Sequence, residues 1–347
     1  MTEEEPSIQE WRGLYQAARE FKKIECWDWM WDSDLFGVQD PVSGEIGYCC
    51  VLGRVGEHFA LAVYSGTDGL EGYLQTRSGE VLPSYPEALH LQKCLMASFE
   101  DRAFLQPKDL RMIKALGLQF RGRTAWPLFR SYRPGYHPWY VTREEAQFLT
   151  VALHQTIEVA VRFKADPELL TPPRENHYLV RVPQQEKAGL RWTDEWLEPR
   201  PLDKPVIVAQ PLDEDRLERL NRTITERRGI WEIDSFYSLM GVAEKGERPY
   251  YPLIILWVER SSKFKVNHYL AHPSEGLSEL LEQFMILAEN IGSLPQEIVV
   301  KKAETFKLLE SITRKLGIKL RKVASLRALE EVQTSMFEIF MRRASNV

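Results

Sequence analysis

Two stretches of this chain follow the same residue pattern, and this internal repetition constrains the fold more than any single motif does. The first stretch runs from Trp27 to Leu70 and contains Leu-Phe-Gly-Val, and the second runs from Trp231 to Leu277 and contains Leu-Met-Gly-Val. Each stretch ends in an acidic residue followed by Gly-Leu. Repetition at this scale indicates a scaffold that is built twice. We therefore expect an internal duplication, with two divergent copies of one unit.

The periodic segments follow a similar order in both copies and predict an α+β fold, in which each copy is a mixed α/β unit of a helix, antiparallel strands and further helices. Apolar residues spaced three and four apart indicate helices, and alternation indicates strands. In the first copy we expect helices at 8–23, 87–98, 107–117 and 142–163, and strands at 35–38, 46–52, 58–64 and 118–120. The last of these helices begins with a capping box, with Thr142 as the N-cap residue and Glu145 three residues later. In the second copy we expect helices at 217–227, 277–289, 305–316 and 327–342, and strands at 251–258, 265–271 and 297–300.

A chain of 347 residues is long enough for roughly two domains. We expect the first domain at 1–165 and the second at 216–347. Between them, the segment 166–215 contains eight prolines and three strand-like pieces, at 177–182, 190–196 and 206–209. Trp192 and Trp196 need other residues to cover them, which favours a hairpin-bearing connector over a disordered linker.

Composition places the chain among globular proteins, with 44% hydrophobic and 27% charged residues. The longest apolar run, 253–258, is far shorter than the ~20 residues that span a bilayer. The first five residues are acidic rather than cationic, unlike a secretory signal. The four cysteines form no CxxC pair, and the adjacent Cys49 and Cys50 would point to opposite faces of a strand. We therefore expect reduced, structural thiols, a cytoplasmic location and no membrane partner.

The net charge of −5 hides a strongly cationic segment. Between Leu110 and Arg143 there are seven basic residues and no acidic residue, while most of the remaining chain is acidic. Such asymmetry argues against loose attraction of the whole chain to nucleic acid. It permits a local site for an anion.

The centre of this charge is an Arg/aromatic segment at 120–141, which the first copy contains and the second lacks. It holds four arginines beside tyrosine, tryptophan, phenylalanine and histidine. Guanidinium groups bind phosphate or carboxylate, and aromatic faces stack on bases. The candidate binding residues are Arg121, Arg123, Trp126, Arg130, Tyr132, Arg133, Tyr136, His137 and Trp139. The alternative is that the aromatic residues pack the segment onto the body and each arginine pairs with an acid of the protein.

A second candidate site is acidic. Asp32 and Asp34 are two residues apart, so on an extended segment their carboxylates would face one way and could hold a hard cation. The second copy has only Asp234 there, and no His or Glu partner lies nearby in sequence. A cap or turn in front of the next strand is the favoured role. A third possibility is that these acids pair with the arginines of the Arg/aromatic segment.

Several motifs resemble those of an uncharacterised bacterial two-domain family. In the N-terminal half these are Trp-x-x-Asp-Ser-Asp-Leu-Phe-Gly-Val at 29–38 and Phe-Arg-Gly-Arg-x-Ala-Trp-Pro at 120–127. In the C-terminal half, Leu-Pro-x-Glu-Ile-x-Val at 294–300 and Leu-Gly-Ile at 316–318 resemble a second domain often joined to the first. The resemblance implies two domains of unknown function and no particular activity.

These observations favour a non-catalytic binding or interaction module whose Arg/aromatic site holds a nucleotide, single-stranded nucleic acid or another acidic partner. A metal-dependent phosphoesterase or nuclease that uses Asp32 and Asp34 is one alternative, and a purely structural partner-binding protein is another. The chain has no glycine-rich phosphate loop, HExxH or GxSxG motif, so no sequence motif identifies a reaction or a cofactor.

Overall fold

The computed structural model describes residues 4–79, 86–187, 189–202, 213–244 and 247–344. The chain divides into two compact units. The first consists of Met1–Pro134 and Pro138–Leu202, and the second of Gly135–His137 and Asp203–Val347. Each unit contains one mixed sheet with helices, so the fold is α+β, as the sequence predicts.

The first unit is built on a seven-stranded sheet with the order β5-β4-β3-β2-β1-β6-β7. Its helices are α1 Ile8–Ile24, α2 Gly66–Ser78, α3 Pro86–Leu91, α4 Pro107–Ala115 and α5 Arg143–Ala165. Its strands are β1 Phe36–Gln39, β2 Ile46–Leu52, β3 Ala60–Ser65, β4 Cys94–Glu100, β5 Trp126–Tyr132, β6 Tyr178–Glu186 and β7 Gly189–Leu197.

The second unit is built on a five-stranded sheet with the order β10-β9-β8-β11-β12. Its helices are α6 Glu214–Thr223, α7 Leu280–Ile291, α8 Ala303–Lys315 and α9 Arg327–Ala344. Its strands are β8 Ile230–Tyr237, β9 Leu253–Glu259, β10 Phe264–Ala271, β11 Glu297–Val300 and β12 Lys319–Lys322. Helices cover both faces of this sheet, with α6, α7 and α8 on one face and α9 on the other. In the described part of the chain, no helix combines the length and the apolar composition that a membrane crossing requires.

Strand alternation explains the two cores of the first unit. Cys49 belongs to the core beneath α1 and α5, and Cys50 belongs to the core beneath α2, so the adjacent thiols do point to opposite faces. All four cysteines are free and buried. Burial raises the pKa of Cys26, Cys49 and Cys94 to about 12. These cysteines are therefore protonated, unreactive core residues.

Two helix starts follow directly from local sequence. Ser7 and Glu10 form a capping box at the start of α1, and Thr142 and Glu145 form the predicted one at the start of α5. In each box the hydroxyl accepts a hydrogen bond from a backbone amide of the first turn, and the glutamate accepts one from the backbone amide of the capping residue. The capping box that was predicted at Thr142 is thus confirmed.

The two units share the predicted order only up to a point. In both, a helix is followed by a three-stranded antiparallel meander, β1-β2-β3 or β8-β9-β10. The next strand then takes different positions, because β4 adds to β3 in antiparallel fashion whereas β11 adds to β8 in parallel. The common sequence pattern therefore corresponds to the meander, and the remainder of each sheet is built differently.

The structure also corrects local assignments. The helix expected at 87–98 ends at Leu91, and the rest is β4, a central strand that is buried on both faces. The residues 118–120 do not form a strand. A continuous apolar strand shows no alternation, so its sequence cannot be distinguished from that of a buried helix.

The hairpin expected in the connector is formed by β6 and β7, and it belongs to the first unit. Strand β6 pairs in parallel with β1, with Gly37 opposite Val180. A Cβ atom on Gly37 would lie 2.7 Å from the Val180 side chain, so glycine permits this close approach. Trp192 and Trp196 pack against the core beneath α1 and α5, which shields them from water as expected. The strand expected at 206–209 lies outside the described residues.

Candidate functional site

The Arg/aromatic segment is not a free loop. Its middle is β5, the edge strand of the first sheet, which pairs with β4 from Glu100↔Trp126 to Cys94↔Tyr132. A turn at 121–125 precedes the strand, and we call this turn the tip. Arg130 lies on the strand, Arg133 follows its last residue, and Arg121 and Arg123 lie in the tip. The predicted site residues therefore occupy different local environments, which are described in turn.

Arg130, in the middle of β5, is a buried internal ion pair. Its guanidinium donates to both carboxylate oxygens of Asp109, over 3.0 and 2.7 Å, and to the Phe129 carbonyl over 2.8 Å. Only 9% of Arg130 and 8% of Asp109 is exposed. The Tyr140 ring covers the guanidinium, with its centroid 4.7 Å away. An external anion could reach Arg130 only by displacing a carboxylate already in place.

Arg133, at the end of the same strand, is also paired. Its Nη2 donates to Glu145 over 2.8 Å, and the Ser131 hydroxyl donates to the same carboxylate oxygen over 2.8 Å. The other oxygen of Glu145 accepts the Thr142 amide in the capping box of α5. For Arg130 and Arg133, pairing with acids of the protein is therefore the correct alternative, and we exclude both from the candidate site.

The tip holds its two arginines in a different environment. The Arg123 side chain is 93% exposed, and its Nε lies 3.7 Å from Asp101, too far for a hydrogen bond. Arg121 is exposed and, within the described residues, forms no ion pair. The backbone of the tip is nevertheless fixed, because the Thr124 amide donates to Asp101 over 2.7 Å and the Thr124 carbonyl accepts the Lys22 ammonium. The anchors hold the main chain and leave both guanidiniums in water.

Strand pairing brings a second short segment beside the tip. Because Glu100 pairs with Trp126, the 3₁₀ turn Arg102–Phe104 follows β4 at the same end of the sheet. The Arg102 guanidinium lies 5.9 Å from the centroid of the Trp126 ring, and the Phe104 side chain is 67% exposed. We call the resulting group the tip surface. Its members are Lys22, Arg102, Phe104, Arg121 and Arg123.

The tip surface carries four cationic side chains. The acid that the structure places against one of them is Asp101, which is 36% exposed and lies 3.7 Å from the Arg123 Nε. Partial burial lowers the pKa of Lys22, and the nearby Glu25 offsets part of that effect. The Lys22 ammonium also lies over the Phe99 ring, 5.0 Å from its centroid. The tip surface therefore combines fixed backbone, exposed guanidiniums and one exposed ring.

The sequence identified Arg121 and Arg123 but missed Lys22, Arg102 and Phe104. No linear pattern connects these three residues to the tip, since they lie on α1 and after β4. The connection comes from strand register, which sequence periodicity does not provide. For Arg102 and Phe104 there is one local signal in the sequence, the Arg-Ala-Phe triplet shortly before Pro107. Its phenylalanine belongs to no amphipathic pattern.

Most aromatic residues of the segment pack against the protein and are not free to stack on a ligand. Trp126 is half-buried against Phe120, with 5.8 Å between ring centroids. Burial raises the pKa of Tyr132, and the neighbouring Cys94 adds to that effect. Trp139 pairs its backbone with Ser131. These side chains support the strand, as the packing alternative expects.

Tyr136 and His137 group with the second unit. The His137 ring stacks on Tyr251, with centroids 4.2 Å apart, and its carbonyl accepts Arg248 Nε over 3.0 Å. Burial lowers the pKa of His137, and Arg248 lowers it further. Tyr136 forms a backbone bridge with Tyr250. Neither residue belongs to the tip surface.

Asp32 and Asp34 lie in a turn. The Trp31 amide donates to the Asp34 carboxylate over 2.7 Å, and the Asp34 amide donates back to the Trp31 carbonyl. The Asp32 carbonyl accepts the Tyr73 hydroxyl over 2.7 Å. Among the residues that the structure describes, no group of three or more His, Cys, Asp or Glu side chains could hold a metal ion. The turn role that the sequence favours accounts for Asp34, and neither acid pairs with the segment's arginines in the contacts described.

In a comparison with known protein families, each half of the chain matches a family model. Residues 11–181 match a domain of unknown function, DUF7309, and residues 216–337 match a second one, DUF6930. Both matches agree with the resemblance that the motifs indicate. No curated protein matches.

Among solved structures, one match is a chain from the "CryoEM structure of simian T-cell lymphotropic virus intasome in complex with PP2A regulatory subunit B56 gamma". The sequences are 15% identical, the TM-score is 0.26, and the match covers 35% of this chain and 42% of that one. The chain thus spans less than half the length of the matched chain. A likeness this weak carries no argument about fold or function.

Proposed function

Since this protein joins a DUF7309 domain to a DUF6930 domain, both of unknown function, we propose its function from the geometry of its surface. It is a non-catalytic binding module that holds an anionic partner on the tip surface of the first unit. The four free, buried cysteines suit a reducing compartment, and we place this binding in the cytoplasm.

The observation that carries the proposal is the unequal pairing of the arginines. Arg130 is already bound to a carboxylate at hydrogen-bonding distance, whereas Arg123 is 93% exposed and only loosely paired. An arginine in water keeps its fork of five donors available for phosphate, sulfate or carboxylate. The tip surface can therefore accept an anion without first breaking an internal ion pair.

Physical chemistry sets the expected character of this binding. Exposed charges are screened over about 8 Å at physiological ionic strength, so several cations must lie close together to act jointly. The contacts of the tip with Lys22 and Asp101, and the pairing of β4 with β5, bring the cations together. Contacts of this kind release counterions, so the affinity falls as salt is added.

The proposal is tested by titrating the full chain with fluorescently labelled heparin, a sulfated polymer without bases, at two salt concentrations. We expect Arg121→Ala/Arg123→Ala to weaken binding at low salt by about tenfold and to flatten the salt dependence. The matched control is Arg228→Ala/Arg314→Ala, which removes two arginines that are 71% and 77% exposed in the second unit. The control should bind as the wild type does, and equal binding by all three proteins would refute the proposal.

The hydrolase alternative has no comparable support. Asp34 is engaged in its own turn and no third ligand accompanies Asp32 in the described residues. We therefore do not propose a metal-dependent reaction.

A further inference from the structure

We infer that the anionic partner is single-stranded nucleic acid and that Phe104 provides the platform on which one of its bases stacks. This inference rests on the proposed function, because it assigns a partner to the same tip surface. It adds a residue that contributes no charge and that a purely electrostatic site would not use.

Phe104 is held out in solvent by its own turn. Its amide donates to the Asp101 carbonyl over 3.0 Å, and the Leu105 amide donates to the Arg102 carbonyl over 3.3 Å. Leu105 is buried in the core beneath α1 and α5, so the turn is anchored by the residue that follows the exposed ring. In the described part of the chain, no other aromatic ring stacks on Phe104. The backbone that carries the exposed ring is thus fixed by the fold.

Leaving a phenylalanine in water forgoes the favourable burial of its apolar ring. Single exposed apolar residues are common and by themselves indicate nothing. Phe104 differs because it follows Arg102 in the same turn and because its anchor, Asp101, also binds the Thr124 amide and faces Arg123. The ring therefore lies in the same turn as the exposed Arg102, and that turn is joined through Asp101 to the tip that carries Arg123.

The combination of a ring and several cations favours unpaired bases. Proteins that bind single strands place a basic groove along the phosphates and stack successive bases on aromatic side chains. In a duplex the base faces are already stacked on one another, so a protruding ring reaches only a single strand. An acidic peptide would satisfy the guanidiniums but would present no flat face to Phe104. The chemistry of the tip surface is therefore matched best by a single strand.

The inference is tested with two labelled probes that carry the same number of phosphates: a 12-residue oligothymidylate and an abasic oligonucleotide of equal length. Wild-type protein should bind oligothymidylate more tightly than the abasic strand. Phe104→Ala should weaken oligothymidylate binding about tenfold, the effect typical of one lost stacking contact, and should leave abasic and heparin binding unchanged. Phe104→Trp should restore the preference, and its added indole fluorescence should be quenched by oligothymidylate alone.

A matched control is available on the second unit. Phe264 is 68% exposed and lies between Lys263 and Lys265, so Phe264→Ala removes an equally exposed ring from a basic setting. The inference is overturned if Phe104→Ala and Phe264→Ala bind oligothymidylate equally well. It is also overturned if polyglutamate competes for the tip as strongly as oligothymidylate does, which would indicate an acidic protein partner.

The two proposals fail separately. If Phe104→Ala has no effect but Arg121→Ala/Arg123→Ala loses heparin binding, the tip surface binds anions and only the stacking role is wrong. If the arginine variant keeps heparin binding, the proposed function itself fails.

Discussion

The tip and the strand of the Arg/aromatic segment each contribute two arginines, and these arginines have opposite electrostatic environments. In the strand, the side chains of Arg130 and Asp109 are 10% and 9% exposed and meet over 2.7 Å. At the tip, the Arg123 side chain is 93% exposed and lies 3.7 Å from a half-exposed Asp101. A run of basic residues is therefore not one functional unit. Whether each arginine is part of the fold or of the surface is set by the acids on neighbouring elements.

Those acids have structural duties of their own. Asp109 accepts the Gln106 amide at the start of α4, and Glu145 accepts the Thr142 amide at the start of α5. A carboxylate at a helix N-terminus interacts favourably with the helix dipole, and here it also offsets an arginine of the edge strand. The strand thus uses its positive charge to attach two helices to the sheet. The tip contacts no such helix start in the interactions described, so its charge remains available.

The largest expected effect comes from breaking the buried pair. Arg130→Met should lower the free energy of unfolding by about 3–5 kcal/mol, because it leaves Asp109 buried without its counter-charge. Urea denaturation monitored by circular dichroism gives this value, and Arg123→Met serves as the matched control. A loss below about 1 kcal/mol would mean that Arg130 is dispensable to the fold, and the contrast between strand and tip would disappear.

An intermediate effect is expected at Glu145, which serves three donors. Glu145→Ala removes the acceptor of the Thr142 amide, the Ser131 hydroxyl and Arg133, and should reduce stability by about 1–2 kcal/mol, in the range of a lost helix cap. Arg133→Ala should have a smaller effect, since the Arg133 side chain is 37% exposed and such pairs contribute little. Equal losses for the two variants would show that the ion pair, rather than the cap, is the main contribution.

The sequence predicted the parts of this contrast that depend on local patterns. The capping box at Thr142, the amphipathic α1 and the β2–β3 pair follow from spacing within a few residues. Candidate residues Arg121 and Arg123 were found because basic charge and aromatic residues cluster in the linear sequence.

What could not be predicted depends on register and on long-range pairing. Asp109 is 21 residues away from Arg130, and only the antiparallel pairing of β4 and β5 together with the packing of α4 brings them into contact. The same pairing places Phe104 beside the tip. Residues 94–98 of β4 fall within the helix that the sequence predicts at 87–98, because a strand that is buried on both faces shows no alternation of apolar and polar residues.

The contacts of Glu10 with Ser7 and Arg143 should make the stability of the protein depend on pH in the acid range. Hydrogen bonds from the amide and hydroxyl of Ser7, and then from Arg143, lower the pKa of Glu10 to about 2. A group with a depressed folded-state pKa stabilises the fold above its unfolded pKa, near 4.3, and this contribution is lost as the pH falls toward 2. We expect the wild type to lose stability over this window, as measured by urea denaturation at several pH values. Glu10→Gln should be less stable at pH 7 and should show a shallower acid decline; an unchanged decline would place the acid sensitivity in other carboxylates.

The smallest expected effect on stability is at the tip. This prediction tests whether the tip arginines serve only binding and contribute nothing to the fold. Arg121→Ala/Arg123→Ala should change the free energy of unfolding by less than about 0.5 kcal/mol, because both side chains are exposed and the tip is anchored through its backbone. Thr124 keeps its contacts with Asp101 and Lys22 when the two guanidiniums are removed, so the turn should persist. Urea denaturation of the variant, made alongside Arg130→Met, gives the comparison directly. If the tip variant unfolds as early as the strand variant does, any loss of polyanion binding would reflect a damaged fold, and the separation of the segment into a structural strand and a binding tip would be lost.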